Sequence, residues 1–320
     1  MNTKSKLRNA KSMPKPRLNF QKNENKRRKR QRKRRRPQDS AVSARRRKKR
    51  RARDAAVSAR REKRRMKRGE CSMDFTGKNV IVTGGASGIG KAITTGIVEG
   101  GGHAIIVDIN LDAAEAVRKE LGEDKTSAYK VNLADSAEIR TVFAQILKDF
   151  GKVDVLINNA GIVSTVPFEE VSQAEWDRVI AINLTGAYTA ISALYPSMKS
   201  RGYGRIVNVA SVAAKRGGGL LGTSAYAASK AGVIGLTKAV AREGAPFGVA
   251  CNGVCPSLTM TPMTAKMTDE KRAKIIATIP MGRGAQPQEI ANMVLFYASD
   301  LASFATGEIS DCDGGVTMDS

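Results

Sequence analysis

A tyrosine and a lysine stand four residues apart in the stretch SAYAASK (224–230). In a helix, Tyr226 and Lys230 would lie on one face, one turn apart. A free phenol titrates near pH ~10, and an ammonium about 4 Å away supplies roughly 4 kcal/mol at an effective dielectric near 20. That is enough to bring the phenol pKa toward neutrality in a partly desolvated cleft. Because the chain has only one histidine, this pair is the candidate for proton transfer.

Two further polar residues accompany the pair. Ser211 ends the predicted strand in GRIVNVAS, fifteen residues before Tyr226, where its hydroxyl would meet a substrate oxygen beside the phenol. Asn183 lies within the helical run DRVIAINLTGAYTAI, and Asn is a poor choice for a helix interior. A tyrosine and lysine at this spacing often occur by chance, so these two residues strengthen the catalytic interpretation.

The elements that must position these residues alternate between strand and helix. Six apolar runs have the length of buried strands: NVIVTG, HAIIVDI, SAYKVNL, VDVLIN, GRIVNV and GVACNGV. Helical spacing separates them, and SAEIRTVFAQILKDFG places Ile139, Val142, Phe143 and Ile146 on one stripe. This order predicts an α/β fold with a single Rossmann-like, doubly wound parallel sheet of about seven strands, flanked by helices. Ligands should bind at the carboxyl ends of its strands.

The first predicted strand runs into a glycine-rich turn, TGGASGIG (83–90). Gly84, Gly88 and Gly90 permit a tight turn, and the following helix N-terminus offers free N–H groups to a pyrophosphate. The second strand ends in Asp108, whose carboxylate can accept hydrogen bonds from an adenosine ribose. Together these features predict a dinucleotide site.

The net charge of +25 is concentrated at one end of the chain. Residues 1–72 contain 32 basic and 5 acidic residues, whereas residues 73–320 contain 23 basic and 25 acidic residues. The first segment has few residues that could form a core, so we expect a disordered basic arm. Residues 73–320 then form the dinucleotide-binding domain.

Two interpretations of the arm stay open. As a functional segment, it would target the nucleus or bind RNA through phosphate contacts that salt weakens. Alternatively, the arm is upstream DNA read in frame. A purine-rich leader would encode this composition, and a short tandem duplication of the DNA would explain why DSAVSARR (39–46) recurs as DAAVSARR (54–61). Met73 would then be the true start.

The cysteines, at 71, 251, 255 and 312, form no paired framework, and the only histidine is His103. We therefore predict neither disulfides nor a metal site. No apolar run approaches the ~18 residues of a membrane span, and the N-terminus lacks the apolar core of a secretory signal. These features predict a soluble, cytoplasmic protein without membrane contacts, nuclear only if residues 1–72 are expressed.

From Met73 onward the chain resembles a complete short-chain dehydrogenase/reductase. The resemblance rests on TGGASGIG, NNAG (158–161), the serine of NVAS, YAASK and the closing TGEISDCDGG (306–315), which occur in the family's order and spacing. It implies a tetrad: Tyr226 as acid or base, Lys230 lowering its pKa and contacting the nicotinamide ribose, Ser211 orienting the substrate oxygen, and Asn183 holding a relay water. It also implies hydride transfer and, in most members, a homotetramer.

The same resemblance extends the expected cofactor site. That site comprises Gly84, Ser87, Gly88, Ile89, Gly90, Asp108, Asn132, Leu133, Asn159, Ala160, Gly161, Tyr226, Lys230, Pro256 and Thr261. Asn159 is expected to stabilise the sheet more than to react. Two positions depart from the family: Ser257 follows Pro256 where Gly is frequent, and Asn132 stands where Asp often meets the adenine.

We expect the cofactor to be NAD, with NADP second. Asp108 would repel a 2′-phosphate, and the positions where the family places basic residues for that phosphate carry Ser87 and Ile109. The leading hypothesis is thus an NAD-dependent oxidoreductase of a secondary alcohol or ketone. The alternatives are a 3-oxoacyl-thioester (acyl-carrier-protein) reductase and, from another class, a nucleic-acid-binding protein acting through the basic arm.

Substrate identity should depend on the loop at 212–224 and on a lid at 257–284. Five lid residues are candidates for an apolar pocket wall, although side chains at helical spacing also serve internal packing: Met260, Met263, Met267, Ile275 and Ile276. No charged cluster in the sequence marks a phosphate or carboxylate on the substrate.

Overall fold

The computed structural model describes residues 73–219 and 222–318. Within them, seven parallel strands form one sheet in the order β3-β2-β1-β4-β5-β6-β7. The strands are β1 (Asn79–Thr83), β2 (His103–Asp108), β3 (Thr126–Lys130), β4 (Val155–Asn158), β5 (Gly204–Val209), β6 (Val249–Pro256) and β7 (Ile309–Cys312). The predicted doubly wound sheet is confirmed. The predicted disorder of residues 1–72 lies outside the described residues.

Helices connect the strands and cover both faces of the sheet. They are α1 (Gly88–Glu99), α2 (Leu111–Leu121), α3 (Ser136–Phe150), α4 (Gln173–Ile180), α5 (Gly186–Arg201), α6 (Ala213–Arg216), α7 (Ser224–Gly244), α8 (Pro262–Ala265), α9 (Asp269–Ile276) and α10 (Pro287–Ala298). Strand order reverses between β1 and β4, because β1 leads outward to β2 and β3 whereas β4 leads to β5, β6 and β7. A crevice at the carboxyl ends of the strands is expected at this switch point.

Alternate residues of β1 enter two different cores. Val80 and Val82 pack in the core that contains buried residues of α1 and α10, whereas Ile81 packs in the core that contains those of α3 and α5. On the predicted stripe of α3, Ile139, Phe143 and Ile146 are fully buried. The strands read as continuous apolar runs because both faces of the sheet are covered.

One helical stretch corrects the expectation that no segment reaches membrane-span length. Among the described residues, Gln173–Arg201 forms a 29-residue helix that contains an 18-residue window of mean hydropathy 1.2, long and apolar enough to cross a membrane by length and composition alone. Its Ile191, Leu194 and Met198 are buried in the same core as Ile81. The apolar composition of this helix therefore matches its packing against the sheet.

Candidate active site

A cavity of about 570 Å³ opens at the carboxyl ends of the strands, where the switch point predicts a ligand. Fifteen of the seventeen sequence-predicted site residues line it: Gly84, Ser87, Gly88, Ile89, Asp108, Asn132, Leu133, Asn159, Ala160, Gly161, Ser211, Tyr226, Lys230, Pro256 and Thr261. The other two, Gly90 and Asn183, do not line the cavity, so they can affect a bound ligand only through neighbouring residues.

The glycine turn forms one end of the cavity. Gly84 and Gly88 have φ of +63° and +51°, which favour glycine. A Cβ on Gly90 would lie 1.9 Å from the carbonyl oxygen of Gly84, so only glycine allows α1 to pack this closely on the turn. Ser87 is the N-cap of α1, and its side chain makes no hydrogen bond to the helix. The free N–H groups of this helix end can therefore receive a pyrophosphate.

Asn159 and Thr83 hold the glycine turn in place. The Asn159 side-chain amide donates to the carbonyl oxygens of Thr83 and Gly84 at 3.0 and 3.3 Å. The Thr83 hydroxyl accepts from the backbone N–H groups of Asn159 and Ala160, each at 3.1 Å. These contacts agree with a structural role for Asn159, because its side-chain amide is hydrogen-bonded to backbone carbonyl groups.

Asp108 lies at the end of β2 with its carboxylate at the cavity. One oxygen accepts from the Ala86 N–H at 3.2 Å and the other from the Asn110 N–H at 3.0 Å. A carboxylate has about four acceptor positions, so two remain for ribose hydroxyls. The neighbouring Ile109 side chain is 62% exposed and offers no positive charge to a 2′-phosphate.

Asn132 and Leu133 follow β3 at the same end of the cavity. The side-chain oxygen of Asn132 accepts from the Ala134 N–H at 3.0 Å. The Asn132 oxygen, which is expected to accept a hydrogen bond from an adenine, therefore already accepts one hydrogen bond and retains a second lone pair.

The Tyr226–Lys230 pair lies near the start of α7, opposite the end of β5. Tyr226 is half-buried, and it lines the cavity together with Ser211. Burial raises the pKa of Tyr226, and the neighbouring Ser211 hydroxyl opposes that rise. The lowering of the phenol pKa by Lys230, which the family resemblance implies, stays a prediction.

Lys230 is 4% exposed and donates to the Val209 carbonyl oxygen at 2.7 Å. Burial lowers its pKa from 10.5 to about 8. The side chain is therefore mostly a cation at neutral pH, held one turn below the phenol. A Cβ on Gly161 would lie 3.3 Å from its Nζ, so Gly161 keeps the space above the ammonium clear.

Asn183 lies in a π-helical segment, Ala181–Thr185, between α4 and α5. Its side-chain oxygen accepts from the Ile162 N–H at 2.8 Å, and its amide donates to the Ile162 carbonyl and the Ser229 hydroxyl at 2.9 and 3.0 Å. The amide therefore braces the loop after β4 against α7. The unusual residue detected in the helix interior coincides with a π-helical turn, a feature frequent at functional sites.

The departure from the family at Ser257 has a local explanation. Its hydroxyl donates to the Asp313 carbonyl oxygen at 2.8 Å and ties the end of β6 to the C-terminal loop. Four residues on, Thr261 caps α8 and forms a capping box with Thr264. A Cβ on Gly88 would lie 3.2 Å from the Thr261 methyl group, so the lid touches the glycine turn.

The lid residues divide between wall and packing. Met263 and Ile275 line the cavity. Met267 and Ile276 pack around the buried Leu258, and Met260 is 36% exposed without lining the cavity. Four further lining residues lie in the two segments expected to determine substrate identity, at Val212, Arg216, Thr278 and Ile279. Val163 and Val316 also line the cavity, and no signal in the sequence indicated them.

The described residues fit a nicotinamide dinucleotide. The glycine cradle suits a pyrophosphate, Asp108 suits a ribose, and the half-buried phenol of Tyr226 lines the same cavity. No group of three or more His, Cys, Asp or Glu side chains in the described part of the chain is arranged to hold a metal. Cys251, Cys255 and Cys312 are free thiols.

The comparisons with known proteins agree with this geometry. A family model described as enoyl-(acyl carrier protein) reductase matches residues 84–317. An uncharacterized short-chain type dehydrogenase/reductase from Sinorhizobium fredii is 39% identical, covering 76% of this chain and 98% of the relative. A 3-oxoacyl-[acyl-carrier-protein] reductase from Thermotoga maritima is 38% identical, covering 77% of this chain and all of the relative.

Among solved structures, a putative NAD(P)-dependent gluconate 5-dehydrogenase from Beutenbergia cavernae with bound NADP at low occupancy has a TM-score of 0.73. It is 37% identical, and the match covers 77% of this chain and 98% of that one. The chain therefore belongs to the short-chain dehydrogenase/reductase family and is an NAD(P)-dependent oxidoreductase that acts on CH–OH or keto groups.

Proposed function

We propose that the enzyme interconverts a secondary alcohol and a ketone with NAD, using Tyr226 as the acid–base group. One observation carries this proposal: the side chains of Ser211 and Tyr226 line the same cavity, with Lys230 one helical turn from Tyr226. A substrate oxygen placed between the two hydroxyls would be bound and protonated, or deprotonated, at one point.

In alcohol oxidation, Tyr226 accepts the hydroxyl proton while Ser211 holds the substrate oxygen through a hydrogen bond. In ketone reduction, Tyr226 returns that proton to the carbonyl oxygen. A bound nicotinamide supplies the chemistry of accepting or donating a hydride at the substrate carbon. The glycine turn and Asp108 bind the other end of the coenzyme.

Lys230 makes the phenol acidic enough to act. Burial alone raises the pKa of Tyr226, so a nearby positive charge is needed to stabilise the phenolate. We propose that Lys230 contacts the nicotinamide ribose and supplies this charge, and that the positive charge of the oxidised nicotinamide adds to it. Asn183 acts as a positioning residue, and any relay water would use its backbone, because its amide is already bonded on both sides.

NAD is the proposed coenzyme because, among the described residues that line the ribose end of the cavity, Asp108 is a carboxylate and none is a cation. Asp108 would repel a 2′-phosphate, and neither Ser87 nor Ile109 can pair with one. The solved relative with bound NADP makes the comparison of NAD with NADP the necessary measurement.

Reduction of a 3-oxoacyl thioester is the second candidate. It is favoured by the relatives described as 3-oxoacyl-[acyl-carrier-protein] reductases and by the apolar wall that Met263 and Ile275 give the cavity. A panel of ketones, secondary alcohols and 3-oxoacyl thioesters, assayed with both coenzymes, separates the two. Preferential turnover of simple alcohols or ketones with NAD supports the first, thioesters as the best substrates support the second, and no turnover of any panel member contradicts both.

We also propose that the enzyme is a cytoplasmic homotetramer whose catalytic domain is residues 73–320. The free thiols support a reducing compartment. Exposed apolar side chains, including Phe304 and Leu301, support assembly. Sedimentation of the purified enzyme tests the assembly: one species of four chains supports it, and a monomer contradicts it.

A further inference from the structure

Arg216 is a cation at the substrate end of the cavity that the proposed chemistry does not use. It lines the cavity together with Ser211, Tyr226 and the lid residue Met263. Its side chain is exposed and makes no ion pair or hydrogen bond with any residue in 73–219 or 222–318. The guanidinium is therefore available to a ligand.

The backbone that carries Arg216 is fixed on both sides. Lys215, the preceding residue, pairs with Asp311 of β7 at 2.7 Å, which ties α6 to the sheet. At the other end of α6, the Ser211 hydroxyl accepts from the Ala213 N–H at 3.1 Å. Gly217 then ends the helix with φ +75°. The hydroxyl that holds the substrate oxygen and the free guanidinium thus belong to one short, anchored element.

The charges along the cavity are arranged asymmetrically. Of the charged side chains that line it in the described part of the chain, Asp108 lies at the end of β2, whereas Arg216 and Lys230 lie beyond β5 and on α7. Strands β2 and β5 are separated by three strand spacings, about 14 Å in all. Arg216 is accordingly too far from the ribose of Asp108 to select for NADP. An anion at the substrate end would meet positive charge and no lining carboxylate.

We propose that Arg216 selects substrates that carry an anionic group, either a carboxylate or a phosphate. This inference rests on the proposed alcohol–ketone chemistry and specifies its substrate class. The four residues of α6 span about 6 Å, so the anion lies several bonds from the reacting carbon. The planar guanidinium can bind either anion through two parallel hydrogen bonds, while the apolar wall contacts the chain between.

Matched substrate pairs test this proposal. Oxo acids with about two to five carbons between ketone and carboxylate are compared with their methyl esters. For the phosphate source, a 3-oxoacyl thioester of phosphopantetheine is compared with that of pantetheine. Each pair is reduced by the wild type, Arg216→Gln and Arg216→Lys. Lys266→Gln is the control, because Lys266 is an exposed lid cation that does not line the cavity.

For whichever anion the wild type prefers, Arg216→Gln should lower kcat/KM about 10- to 100-fold. The neutral partner should change less than about threefold, which also shows that the variant is folded. Arg216→Lys should fall between, and Lys266→Gln should match the wild type. Three results would overturn the inference while leaving the alcohol–ketone chemistry intact. In the first, Arg216→Gln lowers kcat/KM equally for the charged and the neutral partner; in the second, it lowers kcat/KM for neither. In the third, the wild type itself does not distinguish the charged from the neutral partner. A wild type that reduces no member of any pair would contradict the proposed function itself.

Discussion

Replacing Lys230 with Met should stabilise the coenzyme-free protein while inactivating it. The ammonium is 4% exposed, and burial lowers its pKa from 10.5 to about 8. A tenfold change in proton affinity corresponds to about 1.4 kcal/mol, so holding this charge in the folded state costs about 3 kcal/mol. Methionine has a similar length and no charge. Methionine also leaves the Val209 carbonyl oxygen without this donor, which offsets part of the gain, so we expect Lys230→Met to raise the free energy of unfolding by about 1–2 kcal/mol at pH 7.

The pH dependence gives this prediction its sign. Below pH 8, Lys230 is protonated in both the folded and the unfolded chain, so the full cost is present at neutral pH. Between about pH 8 and 10.5 the folded protein loses the proton first, and the stability of the wild type rises with pH. The advantage of Lys230→Met should thus shrink steadily across that window.

Denaturant unfolding of the coenzyme-free wild type and Lys230→Met at pH 7, 8.5 and 10 measures the effect. Lys238→Met is the matched control, because Lys238 is exposed on the same helix and its replacement should change stability by less than about 0.5 kcal/mol. The reasoning is refuted if Lys230→Met is less stable than the wild type at pH 7, or if its gain does not vary with pH.

Three further outcomes are expected. Gly90→Ala should lower the free energy of unfolding by about 1–3 kcal/mol. Gly235→Ala should raise it by up to about 1 kcal/mol, because a Cβ at this helical position meets open space. Equal effects of the two substitutions in denaturant unfolding would contradict this prediction. Asp108→Ala with Ile109→Arg should shift the NAD-to-NADP ratio of kcat/KM at least tenfold toward NADP, and an unchanged ratio would count against the assigned ribose site. A chain starting at Met73 should fold and turn over like the full chain, and the untagged native protein should have a mass corresponding to residues 73–320. A native mass near 34.3 kDa, with RNA binding that salt weakens and that truncation abolishes, would instead support a functional arm.

Much of the fold and part of the site follow from local patterns in the sequence. The turn from Thr83 to Gly90 depends on positive φ and close approach, which restrict those positions to glycine. The spacing of Tyr226 and Lys230 fixes their common face whatever surrounds the helix. Asp108 is recognisable because a polar residue ends an otherwise apolar run. Each of these signals lies within a few residues of its consequence.

The remaining features depend on contacts between distant segments. The Val209 carbonyl that receives Lys230 and the Ile162 backbone that saturates Asn183 belong to other elements, 21 residues away in each case. Helical spacing alone does not reveal that Met263 faces the cavity while Met267 packs inward, because the fold of the lid determines this. In the sequence, Lys215 and Arg216 form a basic dipeptide whose two members look alike. Only the structure shows that Lys215 pairs with Asp311 of β7 whereas Arg216 lines the cavity.

The central claim, that Tyr226 transfers the proton, is tested most directly by the kcat of Tyr226→Phe with the best substrate of the panel. Only the titrating hydroxyl is removed, so NADH should still bind within a few-fold of the wild type. General acid–base catalysis typically contributes 10²- to 10⁴-fold, and the account predicts a loss of at least that lower bound. A variant that binds NADH normally and keeps more than about a tenth of the wild-type kcat would contradict it.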